Sequence, residues 1–328
     1  MSQQIVVLVL AGGIEALNGL LLLDERFRVI VHLDAKTNAN DIELPPHASF
    51  TEARFEVFWG GFNMMLAVRE MIDTAYRVSP TFCRAVMITG DTLPLLSSNA
   101  LETALLDDRR EYIGLYEVLD DPGLRGLSMQ EGRDRSDGTV RAWRFRNFTY
   151  LDDTLLSPRS RDDVMRKYGV SEKTADYLRG NAETIAHTIL ARLPPRPPLY
   201  EKFYYGESWW ALTRAALDLV IDEMHAETHV AYFRFLQVPD EHFIQTLLGN
   251  KQRALSSLGR HVAGTPVFVD HANPERYRFG RDALTAEKFR QAASTGRHLF
   301  ARKFDPELAP DVALAIAEGR YFSDILGA

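Results

Sequence analysis

The first 116 residues predict an α/β fold with a central, mostly parallel mixed sheet flanked by helices. Three observations carry this. Apolar runs of strand length recur at residues 5–10, 29–33 and 84–89. Stretches of helix length lie between them, the pattern of βαβ units. Two of the runs end in an acid, Asp34 and Asp91, where ligands gather at the carboxyl ends of parallel strands.

Ile5-Val6-Val7-Leu8-Val9-Leu10-Ala11 is apolar on both faces, as a buried parallel strand is. It is too short for a bilayer, lacks a basic leader and stops at Gly12-Gly13. A helix over 14–23 and a strand over 29–33 complete one βαβ unit. Ala11, Gly12 and Asp34 then share one rim, where the acid is placed to accept hydrogen bonds from a ribose or base. The glycine pair lacks the full G-x-G-x-x-G fingerprint of a dinucleotide site. Beyond Pro45-Pro46 come an extended segment over 50–57, a helix over 63–77, a strand over 84–89, a helix over 98–106 and a strand over 112–116. These make residues 1–119 a nucleotide-binding half.

Residues 120–199 read as an insert. Its start, 120–139, is rich in Gly, Asp and Arg, a loop signature, and 159–192 reads as polar helix before a polyproline connector. Between them, 141–150 alternates basic and aromatic residues around Arg144. That is either a solvated strand or a face on which sugar rings stack and hydrogen-bond.

Residues 200–328 form the second half. Gly206-Glu207-Ser208-Trp209-Trp210 opens a strand over 208–212, followed by a helix over 214–225. On a strand, Trp209 and Trp210 point to opposite sides, one to the core and one toward a site that Ser208 would share. Pro239-Asp240-Glu241-His242-Phe243 begins a helix, with Pro239 at its entry and Asp240 able to cap or charge its first turn. Phe243, Leu247 and Leu248 fall on one face. Glu241 is then either an ordinary capping acid or a held, partly desolvated carboxylate suited to general base work. Farther on come a basic, aromatic segment over 265–281, a helix over 285–295, Leu299-Phe300-Ala301-Arg302-Lys303-Phe304-Asp305 and a helix over 310–318.

The chain has 328 residues and a formal charge of −7, which argues against general nucleic-acid binding. A single cysteine, Cys83, allows neither an internal disulfide nor a Cys-based zinc site and suits a reducing compartment. With no apolar run of membrane length, the expectation is a cytoplasmic protein without an integral membrane segment.

His32-Leu33-Asp34-Ala35-Lys36, Thr89-Gly90-Asp91-Thr92-Leu93-Pro94, the Pro239–Phe243 segment and the Leu299–Asp305 segment occur in one order, joined by Trp59-Gly60-Gly61 and Gly206–Trp210. In these motifs the chain resembles the core-2/I-branching β-1,6-N-acetylglucosaminyltransferase family, which includes peptide O-xylosyltransferases and bacterial relatives. The resemblance covers about residues 5–116 and 200–308. It implies a GT-A fold and inverting, metal-independent transfer from a UDP-sugar to a glycan or glycolipid acceptor. It places the general base at Glu241, a diphosphate contact at Lys303, a second basic contact at Arg278 (or Arg276 or Arg281) and a uridine-side acid at Asp34. Asp91 either caps the helix near Ser97 or bounds the donor pocket.

No D-x-D triplet occurs in the chain, so the metal ion that most GT-A enzymes use has no such seat. Fixed cations in a shielded pocket can stabilise a departing diphosphate instead. Neither a cofactor nor a divalent metal is therefore expected. Two other readings remain open: a metal-dependent transferase using Asp120-Asp121, and a non-catalytic binder of carbohydrate or nucleotide. The resemblance leaves the donor sugar among N-acetylglucosamine, xylose and glucuronic acid. Peripheral contact with a membrane-bound glycan assembly system is also left open.

Overall fold

The computed structural model describes residues 4–40, 42–57, 60–107, 109–118, 139–140, 161–178, 199–234, 238–270 and 284–327. The strands that build the site are β1 (Gln4–Ala11), β2 (Phe27–Leu33), β3 (Ala48–Phe50), β4 (Phe82–Thr89), β5 (Thr92–Pro94), β6 (Trp210–Thr213), β7 (Val267–Val269) and β8 (Phe300–Arg302). The largest sheet has five strands in the order β6-β4-β1-β2-β3. Its neighbours pair in parallel except β6, which runs antiparallel to β4. The expected mixed, mostly parallel sheet is present.

β1 alternates between two cores. Val6, Leu8 and Leu10 pack with Met65, Met71 and Ile72 of helix α1 (Asn63–Val78). Ile5, Val7, Val9 and Ala11 pack on the other face with Leu20, Leu101, Leu105 and Phe300. Both faces are covered, which is why the run is continuously apolar. Each buried Val, Leu or Ile among them contributes about 1.5–3 kcal/mol on full burial.

The two halves of the chain are interleaved. β6, from the second half, completes the first sheet, and β8 pairs antiparallel with β5 through Arg302 and Thr92. A buried polar knot ties them further. Arg84 on β4 donates to the carbonyls of Leu105, Ala211 and Asp107 at 2.6, 2.7 and 2.7 Å. Glu111, fully buried, accepts from the Thr213 backbone N–H at 2.8 Å and from the Arg260 guanidinium at 3.3 Å.

Several expectations need correction. Residues 14–22 wind as a 3-10 helix rather than an α-helix. A Cβ at Gly19 would lie 2.7 Å from the Thr92 carbonyl oxygen, so this segment is shaped by close contact with β5. The extended stretch expected over 50–57 pairs only through Ala48–Phe50. The strand expected over 112–116 is two short pieces, Arg110–Glu111 and Tyr116–Val118, with Tyr112 bridging singly to Ala211. The helix expected over 214–225 is two, Arg214–Asp218 and Ile221–His225. Pro239–Glu241 forms a 3-10 turn, and the α-helix begins after it at Phe243. That helix is buried on all sides rather than on one face.

Candidate functional site

The carboxyl ends of β2, β1 and β4 lie side by side. The Asp34 N–H donates to the Ala11 carbonyl and the Gly90 N–H to the Leu10 carbonyl, both at 2.9 Å. With strand spacings of about 4.8 Å, the Asp34 and Asp91 positions stand roughly 10 Å apart across β1.

Asp34 is buried, and its carboxylate accepts from the Lys36 backbone N–H and pairs with Lys36 Nζ, each at 2.9 Å. Thr37 Oγ1 donates to the Gly12 carbonyl at 3.0 Å. Arg54, which the sequence reading missed, locks this turn by donating to the carbonyls of Leu33, Asp34 and Thr37 at 2.8, 2.7 and 2.5 Å. Gly12 takes part in this turn through its carbonyl and stays exposed. His32, beneath it, is fully buried and accepts the Phe55 N–H on Nε2 at 2.9 Å. Burial lowers its pKa to about 4, although the Asp34 charge opposes the shift.

At the end of β4, Asp91 does not cap a helix. Its carboxylate takes a bidentate pair from Arg302, 3.1 Å from Nε and 2.6 Å from a terminal nitrogen, with Thr89 Oγ1 at 2.6 Å. Helix α2 (Ser98–Leu105) begins with Ser97 as N-cap, and no side chain caps it. Burial alone would raise the Asp91 carboxyl, but Arg302, Thr89 and Lys303 outweigh it and hold the pKa below the ordinary range. The guanidinium of Arg302 also lies over the Trp209 ring, 4.4 Å from its centre. The β5–β8 pairing delivers Arg302 and Lys303 here, and the Phe304 N–H closes the corner on the Asp91 carbonyl at 2.7 Å.

Trp209 and Trp210 do face opposite sides. Trp210 joins the core that contains α1, and Trp209 joins the other and stacks on Arg302. Trp210 is thus a core residue and Trp209 the member that meets the charged cluster.

The third part is the Gly206–Gln245 corner. A Cβ at Gly206 would sit 1.9 Å from the Gly114 carbonyl oxygen, so the two backbones touch and only glycine fits. The Gly206 N–H donates to the Glu241 carbonyl at 2.9 Å, and the Glu241 N–H to the Val238 carbonyl at 3.0 Å. Glu241 is half-buried on a backbone fixed at both ends. Val238 enters this turn at φ 49, a left-handed geometry that costs a β-branched residue about 1–3 kcal/mol. Asp240 caps nothing: its carboxylate accepts from Ser208 Oγ, while His242 occupies the helix N-cap. Burial raises the Asp240 carboxyl, against the Ser208 hydrogen bond and the Arg302 charge. His242 is fully buried, stacked on Phe203 and bonded through Nδ1 to the Tyr204 carbonyl at 3.0 Å.

The structure therefore joins Asp91, Arg302, Lys303, Trp209, Ser208, Asp240 and Glu241 through direct contacts or chain adjacency, with Ala11, Gly12 and Asp34 on the adjoining rim. Arg144 and Arg278, with the alternatives Arg276 and Arg281, lie outside the described residues. So does the Asp120-Asp121 pair. Arg302 stands one residue from Lys303 in the sequence, and that adjacency was its only signal, whereas Asp240 was expected as a cap or first-turn charge and instead bonds Ser208. Among the described residues, no group of three or more His, Cys, Asp or Glu is placed to hold a metal ion.

Residues 145–292 match the family model of the Core-2/I-Branching enzyme, a stretch containing Trp209, Asp240 and Glu241. Over that stretch the chain is similar to Core-2/I-Branching enzymes, which supports a glycosyltransferase. Among solved structures, the apo-form glycosyltransferase GlyE of Streptococcus pneumoniae TIGR4 is 11% identical over 96% of this chain and 84% of that one. Its TM-score is 0.18, too low to bear on fold or activity. A search of curated proteins finds no match.

Proposed function

We propose that this chain is an inverting, metal-independent glycosyltransferase of GT-A type, which moves a sugar such as N-acetylglucosamine or xylose from a UDP-sugar to a glycan hydroxyl. The strand order β6-β4-β1-β2-β3, with β6 antiparallel, supports the GT-A reading. One observation carries the mechanism. The acid at the end of β4 is paired with Arg302 and lies in the field of Lys303, which supports a reading in which Lys303, beside this fixed pair, meets the diphosphate in place of a metal.

Asp34, with Ala11 and Gly12, lines the uridine side in this reading, and Lys303 meets the diphosphate. Glu241 takes the proton from the acceptor hydroxyl. The freed oxygen attacks the anomeric carbon from the face opposite UDP as the glycosidic C–O bond breaks, and the electron pair leaves on the diphosphate. One such displacement turns an α-linked donor into a β product. Preorganised cations serve here because they need little reorganisation as charge develops.

The test is a panel of UDP-sugars assayed for transfer and hydrolysis with and without EDTA. The expected result is turnover that persists in chelator. Abolition by EDTA would overturn the metal-independent mechanism, and failure of every UDP-sugar to bind would overturn the donor class.

A further inference from the structure

Residues 54–57 and 60–63 are bonded to both of the turns that the proposed reaction uses. At one end they hold the Asp34 turn. Arg54 spends its guanidinium on three main-chain carbonyls, Nε on Leu33 and a terminal nitrogen on Asp34 and Thr37. The Ala35 N–H donates to the Phe55 carbonyl at 3.0 Å, the Phe55 N–H to His32 Nε2 at 2.9 Å, and Lys36 Nζ to the Val57 carbonyl. At the other end they hold the turn that carries Glu241. The Val238 N–H donates to the Gly60 carbonyl at 2.9 Å, and Phe62 packs on Phe243 with ring centres 6.2 Å apart. Residues 58 and 59 lie outside the described residues. The two ends are also joined without them, because Asn63 Nδ2 donates back to the Glu56 carbonyl at 3.1 Å.

These contacts leave little slack. Gly60 sits at φ 77 and Val238 at φ 49, so the hydrogen bond between them joins two left-handed positions with few alternative conformations. A β-branched residue keeps such a geometry only where its surroundings enforce it, and the Gly60 carbonyl is one enforcing contact. The planar fork of Arg54 meets three carbonyls at once, which a single lysine nitrogen does not do. We propose that Arg54 is a positioning residue for both turns: it sets the Asp34 turn directly and the Val238–Glu241 turn through residues 55–57 and 60–63. Donor binding and placement of the base then depend on one side chain that touches neither substrate. Glu241 is also held from its far side by the Gly206 N–H, so loss of Arg54 loosens its turn without unfolding it. The inference rests on the glycosyl-transfer reading for what the two turns bind, and the coupling between them does not.

Arg54→Ala removes the fork, and Arg54→Lys keeps the charge on one nitrogen and serves where the alanine variant fails to fold. Hydrogen exchange at the amides of Ala35, Thr37, Val238 and Glu241 reads both turns. The expected result is exchange about tenfold faster at all four, with strand β1 unchanged. Turnover of UDP-N-acetylglucosamine or UDP-xylose should show KM raised and kcat lowered, each about tenfold, because displaced turns weaken donor binding and misplace the base. Methylguanidinium, added below denaturing concentration, should restore part of both in Arg54→Ala. Faster exchange confined to Ala35 and Thr37, or a raised KM with unchanged kcat, would overturn the coupling. Exchange like wild type at all four amides, unfolding of both variants, or a loss of turnover that methylguanidinium leaves untouched would overturn the positioning role. A wild-type chain that binds no UDP or UDP-sugar sinks the donor reading alone, and exchange at the four amides then decides the coupling.

Discussion

Asp91 and Arg302, far apart in sequence, meet through two hydrogen bonds of 3.1 and 2.6 Å at the end of the central sheet's β4. The pair gives one cation a fixed address. Asp91→Asn keeps the shape and removes the charge, so it should destabilise the fold by about 2 kcal/mol at pH 7, a typical worth for hydrogen bonds to a charged group. The folded pKa of Asp91 is lowered from 3.8. The stabilisation is thus complete above the unfolded pKa and is lost as pH falls through the folded value. Urea unfolding at pH 7 and pH 3 checks this. The gap between wild type and variant should narrow at the lower pH, and a constant gap would count against an ionic origin.

His32 has the opposite charge and the same sign of pH dependence. Its pKa falls from 6.5 unfolded to about 4 folded, so between those values the unfolded chain binds the proton and the folded chain does not. Stability should decline by about 3 kcal/mol from pH 7 to pH 4 through this group. His32→Leu should lose about 1–2 kcal/mol at pH 7, because the Phe55 N–H is orphaned, and should lack that part of the acid dependence. Unfolding curves across pH 4–7 for both proteins make the comparison.

What the sequence could reveal followed from local pattern. β1, β2, β4 and α1 were legible because continuous apolar runs and helical spacing are properties of a short window. The winding of residues 14–22 was not, because Gly19 meets Thr92, a partner seventy-odd residues away. Asp240 looked like a cap because Pro-Asp-Glu before an apolar run usually is one. Its partner proved to be Ser208 across the corner, which no spacing rule announces. Trp209 and Trp210 could be split by alternation alone, but which one met the site depended on where Arg302 would lie.

Glu111 tests whether the two halves of the chain are separable. It is fully buried, 3.9 Å from Arg84 and 3.3 Å from Arg260, and it accepts both donors of Thr213. Glu111→Ala leaves Arg84 as an uncompensated buried charge, which should cost about 3–5 kcal/mol. Glu111→Gln should cost less. A fragment of residues 1–119 lacks β6, β8 and Arg260, so it should not give a cooperative thermal transition. A well-folded fragment would show that the interleaving is dispensable.

Glu241 and Lys303 should fail in different ways, and that difference separates a catalyst from a binder on the same scaffold. Glu241→Gln preserves the backbone bonds to Gly206 and Val238, which use main-chain atoms only. It should therefore leave melting temperature and UDP affinity unchanged while lowering kcat by about 10²–10⁴, the usual worth of a positioned general base. Lys303→Ala should instead weaken UDP and UDP-sugar binding about tenfold or more, because it removes a point charge from the diphosphate. If Glu241→Gln abolished UDP binding or folding, the residue would be structural. If it altered nothing, the chain would be a binding protein, and the proton it was assigned to take would have no acceptor.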